Sequence, residues 1–314
     1  MTGQDKFATS VVGEINLDVV LYGLPGHFEL DREYLASHLS LTLGSSSAIF
    51  AHNFARLGNR VVFHSAVGDD PLGQLCLERL KESGVDVSPV RKFTDKQTGL
   101  SVILPQTEKR FILTYPGVMA EMRFEDLDLR RVFNAHHLHL SSYFLQKALR
   151  PRVPELFRLA KEAGLSTSMD TNDDPDNRWD RDVLDVLPWL DVLFPNEDEA
   201  CRIARLDDPM RALDFLAARG PLVAMKRGDR GAVARRRSET FESPPVKVPA
   251  VDTIGAGDSF DAGFLHQFVR GANIDDCLRY GNLTGALSTT RSGGTEAFRE
   301  ANYREAFLAQ ATIL

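Results

Sequence analysis

The chain has 314 residues, of which 43% are apolar and 26% are charged, and this composition excludes a disordered or collagen-like protein. Its 37 Lys and Arg residues against 44 Asp and Glu residues give a net charge of −7, so we expect neither a nucleic-acid partner nor a membrane partner. The three cysteines, Cys76, Cys201 and Cys277, are far apart in the sequence and favour a reducing compartment. The first residues lack the charged-then-apolar run of a secretion signal, and we therefore expect a cytoplasmic location.

The first predicted strand lies within residues 11–23, VVGEINLDVVLYG, where Asn16 and Asp18 alternate with apolar residues and share one face. Such a polar pair beside a glycine can hydrogen-bond to sugar hydroxyls, although a solvated strand face explains the alternation equally well. Further along, the β-rich runs TGLSVILP and KRFILTY are separated by QTE and predict an antiparallel hairpin. Together with parts of residues 12–43, this hairpin is expected to form a small sheet set apart from the main body.

From residue 135 onward predicted strands and helices alternate, which indicates a largely parallel sheet with ligands at the C-terminal strand ends. The order is a strand in HHLHLSSY, a helix over 151–163, a strand in LSTSMD, a helix in VLDVLPWLD, a strand in WLDVLF, a helix in NEDEACRIARL and a strand in PLVAMK. His136, His137 and His139 are expected to be neutral strand residues, because two histidines on one face do not make three convergent zinc ligands. The residues after 255 are predicted to be mostly helical, with breaks at Gly271 and at Gly293–Gly294.

The strongest functional signal is the segment 251–265, VDTIGAGDSFDAGFL, in which the glycine turn Gly255-Ala256-Gly257 opens a predicted helix. Small residues let backbone N–H groups point at an anion, and the N-terminus of the helix adds partial positive charge. Asp258 lies in the first helical turn, where it either stabilises the helix or removes a proton from a hydroxyl that attacks a bound phosphate. A dinucleotide-binding loop is excluded because Phe260 stands where the third glycine belongs, and the chain has no P-loop sequence.

Three further segments place polar residues at predicted strand ends or helix starts. Asn196 and Glu199 in PNEDE follow a predicted strand, and Asn-x-x-Glu is by itself a helix capping box that needs no function. Asp170 ends the strand in LSTSMD, where an acidic residue faces the crevice at the edge of the sheet. The predicted strand in PLVAMK ends at Lys226.

Residues 252–263 match the pattern Asp-Thr-x-Gly-Ala-Gly-Asp followed by the small pair Ala262-Gly263, and they resemble the C-terminal signature of the ribokinase-like, or PfkB, carbohydrate kinases. The resemblance covers nearly the whole chain. It implies one α/β kinase domain over residues 1–314, with a largely parallel central sheet flanked by helices and a small β-sheet lid built from parts of 12–43 and 97–116. It also implies transfer of the γ-phosphate of ATP to a primary hydroxyl of a small carbohydrate, of ketohexose or pentose type. A nucleoside kinase of the same family and a non-catalytic sugar-binding sensor are the alternatives.

The same resemblance implies roles for individual residues. Asp258 is expected to be the general base, and the anion hole for the transferred phosphoryl group is expected to consist of the backbone amides of Gly255, Ala256 and Gly257. The residues expected to contact the nucleotide are Asn196, Glu199, Lys226, Gly228, Gly231 and Asn282. Mg²⁺ is expected to bind at Glu199 through water, and a monovalent cation, K⁺, beside Asp252 and Ile254. Because members of the family often pair through the lid, a homodimer is also expected.

The acceptor side of the resemblance contains one departure from the family pattern. Asn16 and Asp18 match the family's N-terminal acceptor segment, and LGSSSAIFAHNFARLG matches its sugar-binding turn and helix, which adds Gly44 and Ser45. The family usually has an asparagine shortly after this turn, and here Ile49 occupies that position. Asn53 lies one helical turn later on the same face, so it either substitutes for the missing asparagine or only fills the helix.

Overall fold

The computed structural model describes residues 6–105 and 110–310. In these ranges the strands are β1 Phe7–Val12, β2 Asn16–Tyr22, β3 His38–Gly44, β4 Val61–His64, β5 Ala66–Gly68, β6 Arg91–Phe93, β7 Gly99–Pro105, β8 Arg110–Tyr115, β9 Ala135–Ser141, β10 Ser166–Asp170, β11 Val192–Leu193, β12 Leu222–Lys226, β13 Ala232–Arg236 and β14 Glu239–Ser243. The helices are α1 Ser46–Arg56, α2 Pro71–Ser83, α3 Leu129–Val132, α4 Val153–Glu162, α5 Glu197–Ala204, α6 Pro209–Ala217, α7 Ala256–Phe268, α8 Ile274–Thr289, α9 Glu296–Arg299 and α10 Ala301–Gln310. No helix of these two ranges is both long and apolar enough to cross a membrane.

The main sheet has the strand order β14-β13-β12-β11-β10-β9-β1-β4. The strands from β12 to β4 pair in parallel, and β13 and β14 add an antiparallel edge. Helices cover both faces: apolar residues of α4, α5 and α6 pack on one face, and apolar residues of α1, α2, α7 and α8 pack on the other. The prediction of a largely parallel central sheet flanked by helices is therefore confirmed.

The second sheet, called the small sheet below, has the order β3-β2-β7-β8. Strands β2 and β7 are parallel, and the other pairs are antiparallel, including the predicted hairpin of β7 and β8. The QTE segment between them, residues 106–108, lies outside the described residues. Within the small sheet, Asn16 and Asp18 point to the side of the main body, and Leu39, Leu41, Phe111, Leu113 and Tyr115 are exposed on the opposite side, called the outer face. The prediction of a small sheet apart from the main body is confirmed.

One predicted helix is wrong. The segment VLDVLPWLD forms two 3₁₀ turns, Arg181–Asp185 and Leu187–Trp189, and the strand predicted after it is reduced to β11. The physical reason is Pro188, which lacks the N–H group that an α-helix would need at that position. The helix predicted over 151–163 begins with a 3₁₀ turn and continues as α4.

His137 and His139 are packed inside the main sheet, as expected for neutral strand histidines. The His137 ring nitrogens pair with the hydroxyls of Ser166 and Ser168, at 2.8 and 2.7 Å, and the His139 ring nitrogens pair with those of Ser168 and Ser141, both at 2.8 Å. Burial lowers the pKa of His137 to about 3, so its ring is uncharged at neutral pH. These side chains connect β9 to β10 in the layer next to α1.

Candidate active site

The charged residues of the candidate site meet at the C-terminal edge of the main sheet. Asp170 ends β10 and Lys226 ends β12, while Asn196 follows β11 and forms a backbone bridge to Lys226. Helix α7 begins at the same edge, directly after the glycine turn. In a parallel sheet all strands deliver their last residues to one edge, which is why residues distant in sequence come together here.

The small sheet supplies a polar, buried surface opposite this edge. Asn16 is 2% exposed and Asp18 is 5% exposed, and both lie on the β2 face that points inward. Asn16 Nδ2 donates to Ser101 Oγ at 2.8 Å, and Ser45 Oγ donates to Asn16 Oδ1 at 2.9 Å. The Asn16 amide is thus fixed from two neighbouring segments, and the structure places Asn16, Asp18 and Ser45 together as the sequence suggested.

Gly44 is required by the close approach of this polar pair. It lies opposite Asn16 in the β2–β3 register, and a Cβ at Gly44 would lie 2.2 Å from Asp18 Oδ1 and 2.4 Å from Asn16 Oδ1. Such contacts are far shorter than van der Waals distance, so any side chain at position 44 would displace the carboxylate or the amide. The absence of a side chain at Gly44 therefore leaves the room that the Asp18 carboxylate and the Asn16 amide occupy.

Burial, and after it the negative charge of Asp258, raise the pKa of Asp18, which lies at about 7. A hydrogen bond from Ser101 and the positive charge of Arg110 act in the opposite direction. Val20 and Ile103, on the same face of the small sheet as Asp18, pack against Ile254. Arg110 on that face reaches Thr253 Oγ1 at 3.5 Å, so this face lies against the loop that precedes the glycine turn. The site therefore lies between the small sheet and the N-terminus of α7.

The glycine turn packs tightly against two other segments. Gly255 has a positive φ of 70°, and a Cβ there would lie 2.6 Å from Gly294 Cα and 3.1 Å from Ile49 Cγ2. Ser259 Oγ donates to the Gly255 carbonyl at 2.7 Å, which fixes the turn to the first turn of α7. Of the three backbone amides predicted to bind an anion, the Ala256 amide donates a hydrogen bond to the Thr253 carbonyl at 3.3 Å.

Ile49 and Asn53 support this turn from α1. Ile49 is buried and its side chain packs against Gly255 and Gly294, so it acts as an apolar support beneath the glycine turn. Asn53 is fully buried, and its Nδ2 donates to Ser259 Oγ and to the Gly294 carbonyl, both at 2.9 Å. With Asn53 Oδ1 also paired to His52 Nδ1 at 2.8 Å, the whole amide is used inside the protein. Of the two alternatives for Asn53, the structure favours the one without a sugar contact.

Asp258 is 7% exposed, in the first turn of α7. Burial, and after it the negative charge of Asp170, outweigh Lys226 and a hydrogen bond from Ser46, so that the pKa of Asp258 is raised to about 6. A carboxylate with a pKa near 6 is ionised at neutral pH and is a stronger base than an exposed aspartate. Its environment therefore suits proton removal.

Lys226 is the cation at the centre of an acidic cluster. Its Nζ lies 2.6 Å from Asp170 Oδ2 and 3.4 and 3.5 Å from the two carboxylate oxygens of Asp261. Burial alone would lower the pKa of Lys226, but the negative charges of its carboxylate neighbours, Asp170 first, outweigh burial and raise it. The ammonium is thus held charged, and a Cβ on Gly257 would lie 3.5 Å from it. A positive charge therefore stands directly beside the glycine turn.

Asn196 and Glu199 form the capping box that their spacing predicts. The Glu199 amide donates to Asn196 Oδ1 at 2.9 Å, and the Asn196 amide donates to Glu199 Oε2 at 2.8 Å. Asn196 Nδ2 also donates to Glu199 Oε1 at 2.7 Å. Burial, followed by the negative charge of Asp170, raises the pKa of Glu199. The pair therefore begins α5 and at the same time brings a carboxyl group to the acidic cluster.

The remaining predicted nucleotide residues border the site on the β13 and β14 side. Gly228 and Gly231 both have positive φ, and they form the turn between β12 and β13. A Cβ on Gly231 would lie 2.2 Å from the Ser243 carbonyl oxygen, so this turn touches the segment that follows β14. Asn282 Nδ2 donates to the carbonyls of Ser243 and Pro244, at 3.1 and 2.9 Å. Asn282 thus fixes the same segment from α8.

The profile of the pfkB family of carbohydrate kinases matches residues 8–301. The chain belongs to this family. An ATP-dependent ribose-1-phosphate kinase of Halopiger xanaduensis is 33% identical to it over 290 residues, which cover 91% of this chain and 93% of the relative. An ATP-dependent 6-phosphofructokinase of Thermoanaerobacterium thermosaccharolyticum is 26% identical, covering 90% of this chain and 87% of the relative. The prediction of a carbohydrate kinase, a phosphotransferase, is confirmed.

Solved structures confirm the ribokinase-like fold. A probable sugar kinase from Rhizobium etli superposes with a TM-score of 0.86 at 23% identity, covering 97% of this chain and all of that chain. A putative ribokinase II from E. coli, solved in complex with ATP and Mg²⁺, superposes with a TM-score of 0.82 at 23% identity, covering 97% and 99%. pfkB kinases use ATP together with Mg²⁺ and bind sugar and ATP as small-molecule substrates.

The acidic cluster of this pfkB kinase has the donor chemistry that Mg²⁺ needs. Mg²⁺ prefers oxygen ligands and keeps several of its own waters, and the carboxyl groups of Asp170, Glu199 and Asp261 offer such oxygens around Lys226. The oxygens of Asp170 and Glu199 already accept short hydrogen bonds from the protein, which favours contact with the ion through water. Among the described residues, no group of three or more Asp, Glu, His or Cys side chains is placed to bind a metal ion directly, so these carboxyl groups fit Mg²⁺ only through its waters.

Two acidic residues of the site were missed from the sequence. Asp261 lies one helical turn after Asp258 on α7, and this spacing was the signal that could have revealed it. Glu14 alternates with Asn16 and Asp18, and it is fully buried. Its carboxylate accepts hydrogen bonds from Ser47 Oγ, Ser142 Oγ and Gln146 Nε2, all at 2.8 Å.

Proposed function

We propose that this pfkB kinase transfers the γ-phosphate of ATP to a primary hydroxyl of a small carbohydrate, of ketohexose or pentose type, with Asp258 as the general base. The observation that carries this proposal is the position of Asp258. It is buried directly after the glycine turn, and the face of the small sheet that carries Asp18 packs against the loop leading into that turn. A base that faces both an anion-binding turn and a polar sugar-binding surface is the arrangement that phosphoryl transfer to a hydroxyl requires.

In the proposed reaction, Asn16 and Asp18 orient the acceptor by hydrogen bonds to its hydroxyls, beside Gly44 and Ser45. The Asp258 carboxylate removes the proton from the primary hydroxyl of the acceptor. At the same time the oxygen of that hydroxyl forms a bond to the γ-phosphorus. The bond between that phosphorus and the β–γ bridging oxygen breaks, and ADP leaves. The amides of Gly255, Ala256 and Gly257 stabilise the charge that develops on the transferred group.

The nucleotide is proposed to lie along Asn196, Glu199, Lys226, Gly228, Gly231 and Asn282. Glu199 would hold Mg²⁺ through water, and the ion would neutralise charge on the phosphates when bound. Lys226 is held charged beside the glycine turn, which suits contact with a phosphate oxygen. We also propose a cytoplasmic location, which is supported by the three cysteines, because all of them are free thiols.

The proposal is tested by measuring ADP release from the purified protein with ATP, Mg²⁺ and a panel of neutral pentoses, ketohexoses, sugar phosphates, 2-keto-3-deoxy acids and nucleosides. Turnover with a pentose or ketohexose supports the proposal, and turnover with nucleosides alone replaces it with the nucleoside kinase. If a sugar raises the melting temperature but no acceptor in the panel causes release of ADP, the result would indicate the sensor instead.

An acceptor that carries an anionic group is a second candidate, because of Arg110. In the small sheet Asp18 pairs with Ser101, and Pro105 on the same strand pairs with Arg110, so Arg110 lies on the face that holds Asp18. A phosphate or carboxylate on the sugar would meet this guanidinium. Arg110→Gln is then expected to raise KM about tenfold for a sugar phosphate and to leave KM for the neutral sugar unchanged. Equal effects on both sugars would contradict this candidate.

We further propose that the small sheet is a lid through which two copies form a homodimer. The outer face exposes Leu39 by 58% on β3, and Phe111 by 51% and Leu113 by 60% on β8, so apolar side chains are exposed at both edges of this face. Burying that surface against its own copy would remove it from water. Sedimentation velocity is expected to show a dimer for the wild type and a monomer for Leu113→Lys. A monomeric wild type at micromolar concentration would contradict the dimer.

A further inference from the structure

The small sheet is bound directly to the loop that leads into the glycine turn. Tyr22, the last residue of β2, donates its hydroxyl to Asp252 Oδ2 at 2.9 Å and also contacts Ser292 Oγ. The same Asp252 oxygen accepts the Gly293 amide at 3.0 Å, and Asp252 Oδ1 accepts the Ile254 amide at 2.9 Å. Tyr22 therefore ties together the small sheet, the 252–254 loop and the segment after α8.

The next two residues of the loop touch the small sheet as well. Ile254 is buried in a separate apolar cluster with Val20 and Ile103, which belong to β2 and β7. Arg110 of β8 reaches Thr253 Oγ1 at 3.5 Å. Each of the three residues that precede Gly255 is thus in contact with a strand of the small sheet. The position of the glycine turn depends on this sheet through a continuous set of contacts.

The monovalent cation expected beside Asp252 and Ile254 does not fit these contacts. A cation at this place would take oxygen ligands from the Asp252 carboxylate and from backbone carbonyls around Ile254, and the Thr253 carbonyl already accepts a hydrogen bond from the Ala256 amide at 3.3 Å. Both Asp252 oxygens already accept hydrogen bonds, and the Tyr22 hydroxyl stands between Asp252 and the Ser292 hydroxyl. The O–H group of Tyr22 already directs a positive hydrogen at the carboxylate, which is the electrostatic role that a cation would have.

We propose that the Tyr22 hydroxyl, and not a monovalent cation, holds the Asp252–Ile254 loop and thereby orders the glycine turn for phosphoryl transfer. This inference rests on the proposed function of the turn. Tyr22 is suited to the task because it remains a hydrogen-bond donor: burial raises the pKa of Tyr22 to about 12. A positioning residue of this kind acts on the step in which the turn stabilises developing charge.

The test uses Tyr22→Phe, which keeps the ring that packs beside Val20, Ile103 and Ile254 and removes only the hydroxyl. Tyr115→Phe is the matched control, because it removes a hydroxyl from the outer face of the same sheet. Steady-state rates are measured in chloride salts of K⁺, Na⁺ and tetramethylammonium at equal ionic strength. The Kd for ATP and the melting temperature of each protein are measured in the same salts.

The wild type and Tyr115→Phe are expected to have equal kcat in the three salts. Tyr22→Phe is expected to lose about tenfold in kcat, the scale of one hydrogen bond to a charged group, with the acceptor KM and the Kd for ATP nearly unchanged. Its melting temperature should fall only slightly, so that the loss in kcat is separable from unfolding. Strong activation of the wild type by K⁺ over tetramethylammonium would overturn the proposal.

A Tyr22→Phe variant with wild-type kcat and wild-type melting temperature would also overturn it. Failure of the proposed function is distinguishable from either result, because it would appear as absence of phosphoryl transfer by the wild type itself. In that case the melting temperatures still test the role of Tyr22. If Tyr22→Phe melts at a lower temperature than the wild type, Tyr115→Phe does not, and K⁺ leaves the melting temperature of the wild type unchanged, the Tyr22 hydroxyl is supported as the group that holds the loop. Stabilisation of the wild type by K⁺ contradicts it.

Discussion

Replacing Asn53 by Ala separates a structural role for this residue from a role in sugar binding. Asn53 makes three hydrogen bonds within the protein, to Ser259 Oγ, the Gly294 carbonyl and His52 Nδ1. All three partners are buried or part-buried, and burial lowers the pKa of His52 to about 3, so that its ring is neutral. The alanine variant leaves the Gly294 carbonyl and the His52 ring nitrogen without this partner.

The expected loss of stability follows from these three bonds. Each hydrogen bond contributes about 0.5–1.5 kcal/mol, so Asn53→Ala is expected to lower the free energy of unfolding by about 2–4 kcal/mol. For a chain of 314 residues, an unfolding entropy of about 2.1 cal/mol/K per residue means that each kcal/mol shifts the melting temperature by about 1.5 °C, which gives a fall of about 3–6 °C. The acceptor KM is expected to stay within about threefold of the wild type, because no Asn53 atom is left to bond a sugar.

Urea unfolding and steady-state kinetics on the same preparations test this reasoning. Asn59→Ala is the matched control, because Asn59 is also a buried asparagine, with bonds to the Phe54 carbonyl and to His266, and it is not part of the glycine turn's support. Both variants are expected to lose stability while the acceptor KM stays nearly constant. A tenfold or larger rise in the acceptor KM for Asn53→Ala, at wild-type stability, would refute the structural role and restore Asn53 as a sugar ligand.

Three further perturbations probe other parts of the site. Gly44→Ala is expected to raise the acceptor KM about tenfold or more while the KM for ATP changes little, since the new Cβ would lie 2.2 Å from Asp18 Oδ1. An acceptor KM equal to that of the wild type would contradict this. The value of kcat/KM should fall as the pH decreases through about 6, because Asp258 then takes up a proton and stops acting as a base. A kcat/KM that stays constant down to about pH 5 would contradict the role of Asp258 as the base. Lys226→Met should lower the free energy of unfolding by about 3–5 kcal/mol, because the buried Asp170 carboxylate loses its cation; unchanged urea unfolding would disprove this pairing.

The parts of the fold that the sequence predicted correctly have strong local signals. Alternation placed Asn16 and Asp18 on one face of β2, and the two β-rich runs around residue 107 predicted the β7–β8 hairpin. The helix predicted in VLDVLPWLD failed because apolar spacing was weighed above Pro188, which limits the segment to 3₁₀ turns. Local pattern predicts an element well where spacing and backbone chemistry agree, and poorly where they conflict.

The part of the site that could be predicted from the sequence is the part whose residues lie in one short motif. Gly255 to Asp258 are consecutive, so their turn and helix could be predicted from spacing alone. The contact of Tyr22 with Asp252 spans 230 residues, and that of Asn53 with Gly294 spans 241. No local pattern signals such pairs, since they exist only because the folded small sheet and α1 both reach the glycine turn.

The most direct measurement of the central claim is the single-turnover rate of Asp258→Asn with ATP, Mg²⁺ and the acceptor found in the panel, compared with Asp276→Asn. Asp276 is also a first-turn carboxylate, on α8, and it controls for the effect of such a residue on its helix alone. If Asp258 is the general base, Asp258→Asn loses roughly 10²–10⁴ in the rate of phosphoryl transfer while its Kd for ATP stays near that of the wild type, and Asp276→Asn keeps full activity. An Asp258→Asn variant that retains more than about a tenth of the wild-type rate would contradict the account, because loss of a general base costs at least about a hundredfold.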